Sequence, residues 1–169
     1  MTSHTSHTSD TTLRDELRFL LRGGNAHMSL RDAVKDFPIE QANTRPPNVS
    51  YTPWHLLEHI RRTQHDILEF LKNPHYATIQ WPDDYWPAQD EQADAAAWQK
   101  TLDGFNEDMQ ELVAITQDRS LDLYAPLPHG SGQNRVREIQ LVADHNAYHI
   151  GEFAILRQVM QTWGPDHEG

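Results

Sequence analysis

The segment "DHNAYHIGEF", residues 144–153, carries His145 and His149 four residues apart, with Glu152 three residues further on. Residues four apart in a helix lie about 40° apart around its axis, so both imidazoles share a face and can reach one cation at the usual nitrogen-to-metal distance of about 2.0–2.1 Å. Leu141, Val142, Leu156, Met160 and Trp163 fall on the same side, as do Glu138 and Glu152. Polar groups clustered on an apolar stripe need partners, and a divalent metal ion satisfies several at once. Such a pair also arises by chance in a chain with 11 histidines. A third ligand from another element is needed before the pair reads as a metal site.

"WHLLEHI", residues 54–60, offers two candidates. Leu56, Leu57, Ile60, Ile67 and Leu71 mark the buried side of the helix it belongs to, and His59 lies nearer that side than His55, which falls with Arg62 and Asp66. His59 is therefore the expected third ligand, with His55 and His65 expected on the surface. The same stretch also matches the H-x-x-E-H pattern of inverted zinc peptidases, in which His55 and His59 would bind zinc and Glu58 would activate water. That secondary reading leaves His145, His149 and Glu152 without a role.

Three neutral imidazoles leave a cation's charge uncompensated and at least one coordination position open, the pattern of catalytic rather than structural zinc. The open position suits either water, for hydrolysis, or a thiol held as thiolate for transfer to an electrophile. The chain contains no cysteine, so any sulfur nucleophile must be a low-molecular-weight thiol from outside. Imidazole ligation suits zinc, nickel, iron or copper, and zinc or nickel is expected. Glu152, one turn beyond His149, is the expected catalytic carboxylate, as proton acceptor or metal neighbour. Glu138, almost two turns before His145, is expected to be solvated or ion-paired.

The elements that must position these residues read as helices. Leu13, Leu17, Leu20 and Leu21 form a short amphipathic helix closed by Gly23 and Gly24. Ser29, with Asp32 at the reciprocal position, opens a second piece through about Phe37. Thr52 caps and Pro53 starts a longer helix running to about Lys72 and stopped at Asn73-Pro74. Residues 74–90, with "WPDDYWP", are an aromatic- and proline-rich connection too long for a turn, so Trp81, Tyr85 and Trp86 are expected to pack across the bundle or wall a pocket. Trp98, Leu102, Phe105, Met109 and Leu112 recur at intervals of 4, 3, 4 and 3 and mark a core-facing helix. After a loop from about Asp118 to Gln133, Asn134 caps a last helix to about Trp163. Strand-like alternation is absent, so the expected architecture is an all-α four-helix bundle with extra short helices.

A chain of 169 residues with 37% hydrophobic content supports one core. Residues 1–11, Ser, Thr and His with almost nothing apolar, are expected to be a disordered tail, and 12–169 a single domain. Fourteen basic against 25 acidic residues, net −11, argue against nucleic acid or an anionic membrane as partner. A small-molecule substrate and a cytoplasmic location are expected, and the helical faces left over after bundle packing suit a homodimer.

With these residues in place, the chain resembles the DinB-like superfamily from about Leu13 to Trp163. "WHLLEHI" is similar to that family's aromatic-Leu-Leu-x-His segment, and "HNAYHIGEFAILR" to its closing His-x-x-x-His-x-Gly-Gln segment and the Leu-Arg that follows. The resemblance implies a four-helix bundle binding a divalent metal through His59, His145 and His149. It also implies a choice among metal-dependent hydrolases, thiol-dependent isomerases and thiol S-transferases, which fold kinship alone does not make. Glu152 stands where the family commonly has Gln. The alternatives to an enzyme are a metal- or ligand-binding bundle without turnover and a helical interaction module.

Overall fold

Thr52, in extended conformation, accepts a hydrogen bond from the His55 backbone N–H, and Pro53 occupies the first helical position, where its missing N–H costs nothing. From this start runs the helix that holds His59. In the computed structural model, which describes residues 3–165, the helices are α1 (Ser3–Arg22), α2 (Leu30–Val34), α3 (Pro53–Lys72), α4 (Ala95–Gln117) and α5 (Arg135–Met160), with a single 3₁₀ turn at Ile39–Gln41. No strand occurs among the described residues, and none of their helices is long and apolar enough to cross a membrane. The chain is all-α, as its periodicity predicts.

α3 packs against α4 and α5, and α1 packs against the same two, so α1 and α3 occupy opposite corners of a four-helix bundle while α2 leans on α5. The core has two halves. One gathers Leu56, Leu57 and Ile60 of α3 with Trp98 and Phe105 of α4 and Phe153 of α5. The other gathers Leu17 and Leu21 of α1 with Leu68, Leu112 and Val142, and takes Leu123 and Leu127 from the loop between α4 and α5. Each fully buried leucine or isoleucine contributes about 1.5–3 kcal/mol relative to exposure.

Capping follows the sequence closely. Ser29, Thr52, Asp94 and Asn134 each accept a backbone N–H three residues on, and α3 ends at Lys72 with Asn73 as its C-cap. α5 stops at Met160, because Gln161 turns into the left-handed region at φ 56°. Gly23 and Gly24, at φ 62° and 78°, let the chain leave α1.

The first helix departs from expectation. It begins at Ser3 rather than near Leu13, and so takes in most of the segment expected to be a disordered tail; Met1 and Thr2 lie outside the described residues. Docking supplies the costly helical nucleus, and extension from it is cheap per residue. Leu17 and Leu21 are buried, and Arg14 donates to the carbonyls of Thr116 (3.0 Å), Asp118 (2.9 Å) and Leu121 (2.7 Å) at the end of α4 while its Nε holds Asp10. A guanidinium there also opposes the negative end of the α4 dipole.

Arg157 performs a similar task at the other end. Its buried guanidinium donates to the carbonyls of Ala33 (2.8 Å), Lys35 (2.7 Å) and Thr162 (2.6 Å), and lies 3.8 Å from the centre of the Trp163 ring. It ties α2 and the chain after α5 together. Replacing Arg157 by Leu leaves those carbonyls without their donor, at about 1–3 kcal/mol for each one left buried and unpaired. The urea midpoint of the variant is expected to fall by the equivalent of about 3 kcal/mol, and an unchanged midpoint would contradict the clamp.

Candidate metal centre

His59 projects from the middle of α3, while His145 and His149 project from successive turns of α5, the neighbour of α3 in the bundle. Their ring nitrogens converge. His145 Nε2 lies 3.2 Å and His149 Nε2 3.3 Å from His59 Nε2, and the ligand atoms of all three lie within 4.8 Å of one another. His59 is buried; the other two are half-buried.

The far sides of two rings fix their tautomers. His59 Nδ1 faces the Tyr85 carbonyl at 3.0 Å, and His149 Nδ1 faces the Glu152 carboxylate at 2.6 Å. Neither oxygen can donate, so both Nδ1 atoms carry hydrogen and, in neutral rings, both Nε2 atoms present lone pairs. Those two lone pairs confront each other at 3.3 Å. His145 has a buried Nδ1 with no hydrogen-bond partner and an Nε2 turned to the same point. Two ligands at about 2.0–2.1 Å in tetrahedral coordination stand about 3.3–3.4 Å apart. The three residues thus fit a divalent cation, which resolves the lone-pair conflict.

Burial keeps His59 and His145 neutral. It holds His59 down to about 4, against the raising effect of the Tyr85 carbonyl, and holds His145 down to about 3, with help from the neighbouring His149 and His59. Burial raises the Glu152 carboxyl, but hydrogen bonds from His149 and Tyr51 outweigh it and the net displacement is downward. Tyr51 donates to the other Glu152 oxygen, and burial together with that carboxylate pushes its phenol well above the ordinary value.

Aromatic rings wall the centre. Trp86 stacks on His59 at 3.9 Å with an interplanar angle of 6°, Trp81 meets it edge-on at 6.3 Å, and Tyr148 meets His149 at 4.8 Å. Trp81 and Tyr148 are largely exposed and form the rim. The connection that carries Trp81 and Trp86 is pinned to α3 by Asp66, whose two oxygens accept from Tyr76 (2.7 Å) and Tyr85 (2.6 Å).

The structure therefore brings together His59, His145, His149 and Glu152, and leaves other expectations corrected. His55 is buried rather than on the surface: its Nε2 meets the Glu91 carbonyl at 2.8 Å, and it does not join the cluster. Glu58 is buried and held by Arg61, Arg62 and Thr101. The peptidase-like triad of His55, Glu58 and His59 is not assembled, because its members serve three separate sets of partners. His65 is exposed, as expected, and faces Asp108. Glu138 is buried but ion-paired with Arg137. Leu141 is exposed instead of core. Tyr51 and the Tyr85 carbonyl went unread: neither a phenol 101 residues from its partner nor a main-chain acceptor leaves a spacing signal.

The family model of the DinB superfamily matches residues 24–153, which span every residue of this centre. The chain belongs to the DinB superfamily. No curated protein and no solved structure matches it.

The depressed histidines set a pH dependence for the metal-free fold. Both groups titrate near 6.5 in the unfolded chain, so between that value and about 3–4 the unfolded state binds more protons and stability falls as pH drops. Urea midpoints of metal-free protein are expected to decline from about pH 7 to about pH 5, less so in His145→Asn, which cannot take up that proton. Equal slopes in the two proteins would show that His145 is not held neutral.

Proposed function

We propose that the protein is a metal-dependent enzyme that activates a small molecule, a low-molecular-weight thiol or water, at the His59–His145–His149 centre. The observation that supports this most directly is the pair of Nδ1 donors, to Tyr85 and Glu152, which leaves Nε2 lone pairs converging on one point. A divalent ion, zinc or nickel, bound there with only neutral ligands would supply Lewis acidity and lower the pKa of water or thiol at its open position. The chain itself supplies no thiolate, so a thiol is a cosubstrate.

Glu152 serves in this reading as a positioning residue. One oxygen takes the His149 Nδ1 hydrogen and the other takes the Tyr51 hydroxyl, so the carboxylate fixes the imidazole's orientation and raises its basicity. Tyr51 keeps its proton and stays a donor, since its phenol lies above the ordinary range. The role expected from sequence, direct proton acceptance, would use a lone pair that these two hydrogen bonds leave free. Trp86 holds His59 from behind and, with Trp81 and Tyr148, narrows the approach to apolar or flat substrates.

Protein purified without an affinity tag is expected to bind about one divalent ion per chain. Single replacements of His59, His145 or His149 by Ala should lower its affinity for zinc severely while His55→Ala does not. Retention of zinc by His145→Ala with loss in His55→Ala would overturn the assignment.

Glu152 is tested without a substrate. Glu152→Ala should weaken zinc binding about 10–100-fold, as for removal of a carboxylate behind a ligand imidazole, and Glu152→Gln, which still accepts from Nδ1, should weaken it less. In cobalt-loaded protein the visible-spectrum pH transition should move to lower pH in Glu152→Gln, because removing a negative charge makes the centre more acidic. With any substrate found, a loss of about 10²-fold in kcat at every pH, beside unchanged metal affinity and an unchanged spectrum, would instead make Glu152 the proton acceptor.

A further inference from the structure

Acceptors behind the rings of His59 and His149 fix their tautomers, but the buried Nδ1 of His145 meets no hydrogen-bond partner. To serve as a ligand through Nε2, a neutral His145 must carry its hydrogen on Nδ1, and a buried N–H without an acceptor is costly. The next residue on α5, Asn146, is buried and carries the complementary atom, an Oδ1 that is also buried and unpartnered. Solvent reaches neither atom, so whatever satisfies them belongs to the chain.

The orientation of the Asn146 amide is set from across the core. Its Nδ2 donates to Gln64 Oε1 of α3 at 2.8 Å, and Gln64 Nε2 donates to the Phe105 carbonyl of α4 at 2.8 Å. A main-chain carbonyl only accepts, so Gln64 turns its NH₂ to Phe105 and its oxygen to Asn146. Asn146 must answer with its own NH₂, which leaves Oδ1 as the free end. Two amides of one polarity thus run from α4 through α3 to an acceptor on α5. Adjacent side chains on a helix diverge by about 100°, so only atoms close to the backbone can meet. Nδ1 and Oδ1 are such atoms, each bonded directly to its Cγ. Burial, aided by His149 and His59, draws the His145 pKa down, and the Asn146 side chain opposes them by hydrogen bonding, although Nδ1 and Oδ1 fall short of full hydrogen-bond geometry. Thr63 of α3 has a buried, unpartnered hydroxyl on the same cleft as His145. A hydroxyl rotates to donate or to accept, so it would impose no tautomer.

We infer that Asn146 is the positioning residue of the third imidazole: its Oδ1 takes the Nδ1 hydrogen of His145, and the Gln64–Phe105 chain behind it directs the His145 Nε2 lone pair toward the other two rings. The inference rests on the metal-centre reading above and extends that centre's support to α4.

The test compares zinc affinity and the histidine ring N–H signals in NMR spectra of zinc-loaded wild type, Asn146→Leu, Asn146→Asp and Thr63→Val. In the wild type the His145 Nδ1–H is expected to be protected from exchange, and Asn146→Leu should lose that signal while those of His59 and His149 remain. Its zinc affinity should fall about 10–100-fold, as for loss of a partner behind a ligand imidazole, and Thr63→Val should leave affinity unchanged. Asn146→Asp keeps an acceptor oxygen and should hold zinc at least as tightly as the wild type, a rescue that a packing role would not give. If Asn146→Leu fails to fold, the double replacement Gln64→Leu with Asn146→Leu takes its place, since it removes both amides together. Wild-type affinity and an intact His145 signal without Asn146, or a loss seen in Thr63→Val instead, would overturn the inference and leave the metal centre standing. Zinc bound by none of these proteins, or bound as tightly by His145→Ala as by the wild type, would overturn the metal-centre reading and this inference with it.

Discussion

Two imidazole nitrogens, each with its lone pair directed at the other across 3.3 Å, form a contact that repels unless a cation shares it. The chain builds this contact on purpose, in the sense that both rings are locked from behind. The Tyr85 carbonyl fixes His59, and Glu152, itself held by Tyr51, fixes His149. His145 completes the set from one turn earlier on α5. A bundle that keeps His59 and His145 neutral by burial loses stability to acid when metal is absent.

Everything around that point is arranged to hold two helices at the right separation. α3 and α5 pack directly, and the large residues beside the histidines, Leu56, Ile60, Ile150 and Phe153, leave little room for drift. The connection after α3 would otherwise be free to swing. Asp66 anchors it through two phenols, which sets the height of the Tyr85 carbonyl and lays Trp86 flat on His59. At the bundle ends, Arg14 and Arg157 do for the helix termini what caps alone do not, by donating to carbonyls from separate segments. The proposed metal centre needs rigid support of this kind in addition to three histidines that lie near each other.

Much of this was legible in the residues themselves. Caps and stops placed α3 to the residue, and the 4-3-4-3 stripe from Trp98 to Leu112 identified α4. His59, His145 and His149 were readable because each stands on a helix whose period is strong enough to assign a side. The limits have the same origin. α5 is apolar on more than one face, with Leu141, Tyr148, Ile155 and Val159 exposed and Ile139, Val142, Ile150 and Phe153 buried, so its period could not say that Leu141 looks outward. His55 sits within a run, Pro53 to Ile60, in which every residue is buried, and its partner is a carbonyl in a distant connection. The first helix reached back to Ser3 because tertiary docking at Leu17, Leu21 and Arg14 stabilises what Ser and Thr propensity does not. Long-range acceptors on the backbone, and the phenol behind Glu152, have no local pattern to read.

In the proposed site, three imidazole nitrogens from α3 and α5 share one divalent ion and leave a position open. X-ray absorption at the zinc edge of zinc-loaded protein tests it most directly. Three nitrogen scatterers with imidazole multiple scattering are expected at about 2.0–2.1 Å, together with at least one further light atom that is replaced by a sulfur at about 2.3 Å when a small thiol is added. A spectrum with one imidazole or none, or a zinc shell made mainly of carboxylate oxygens, would contradict it.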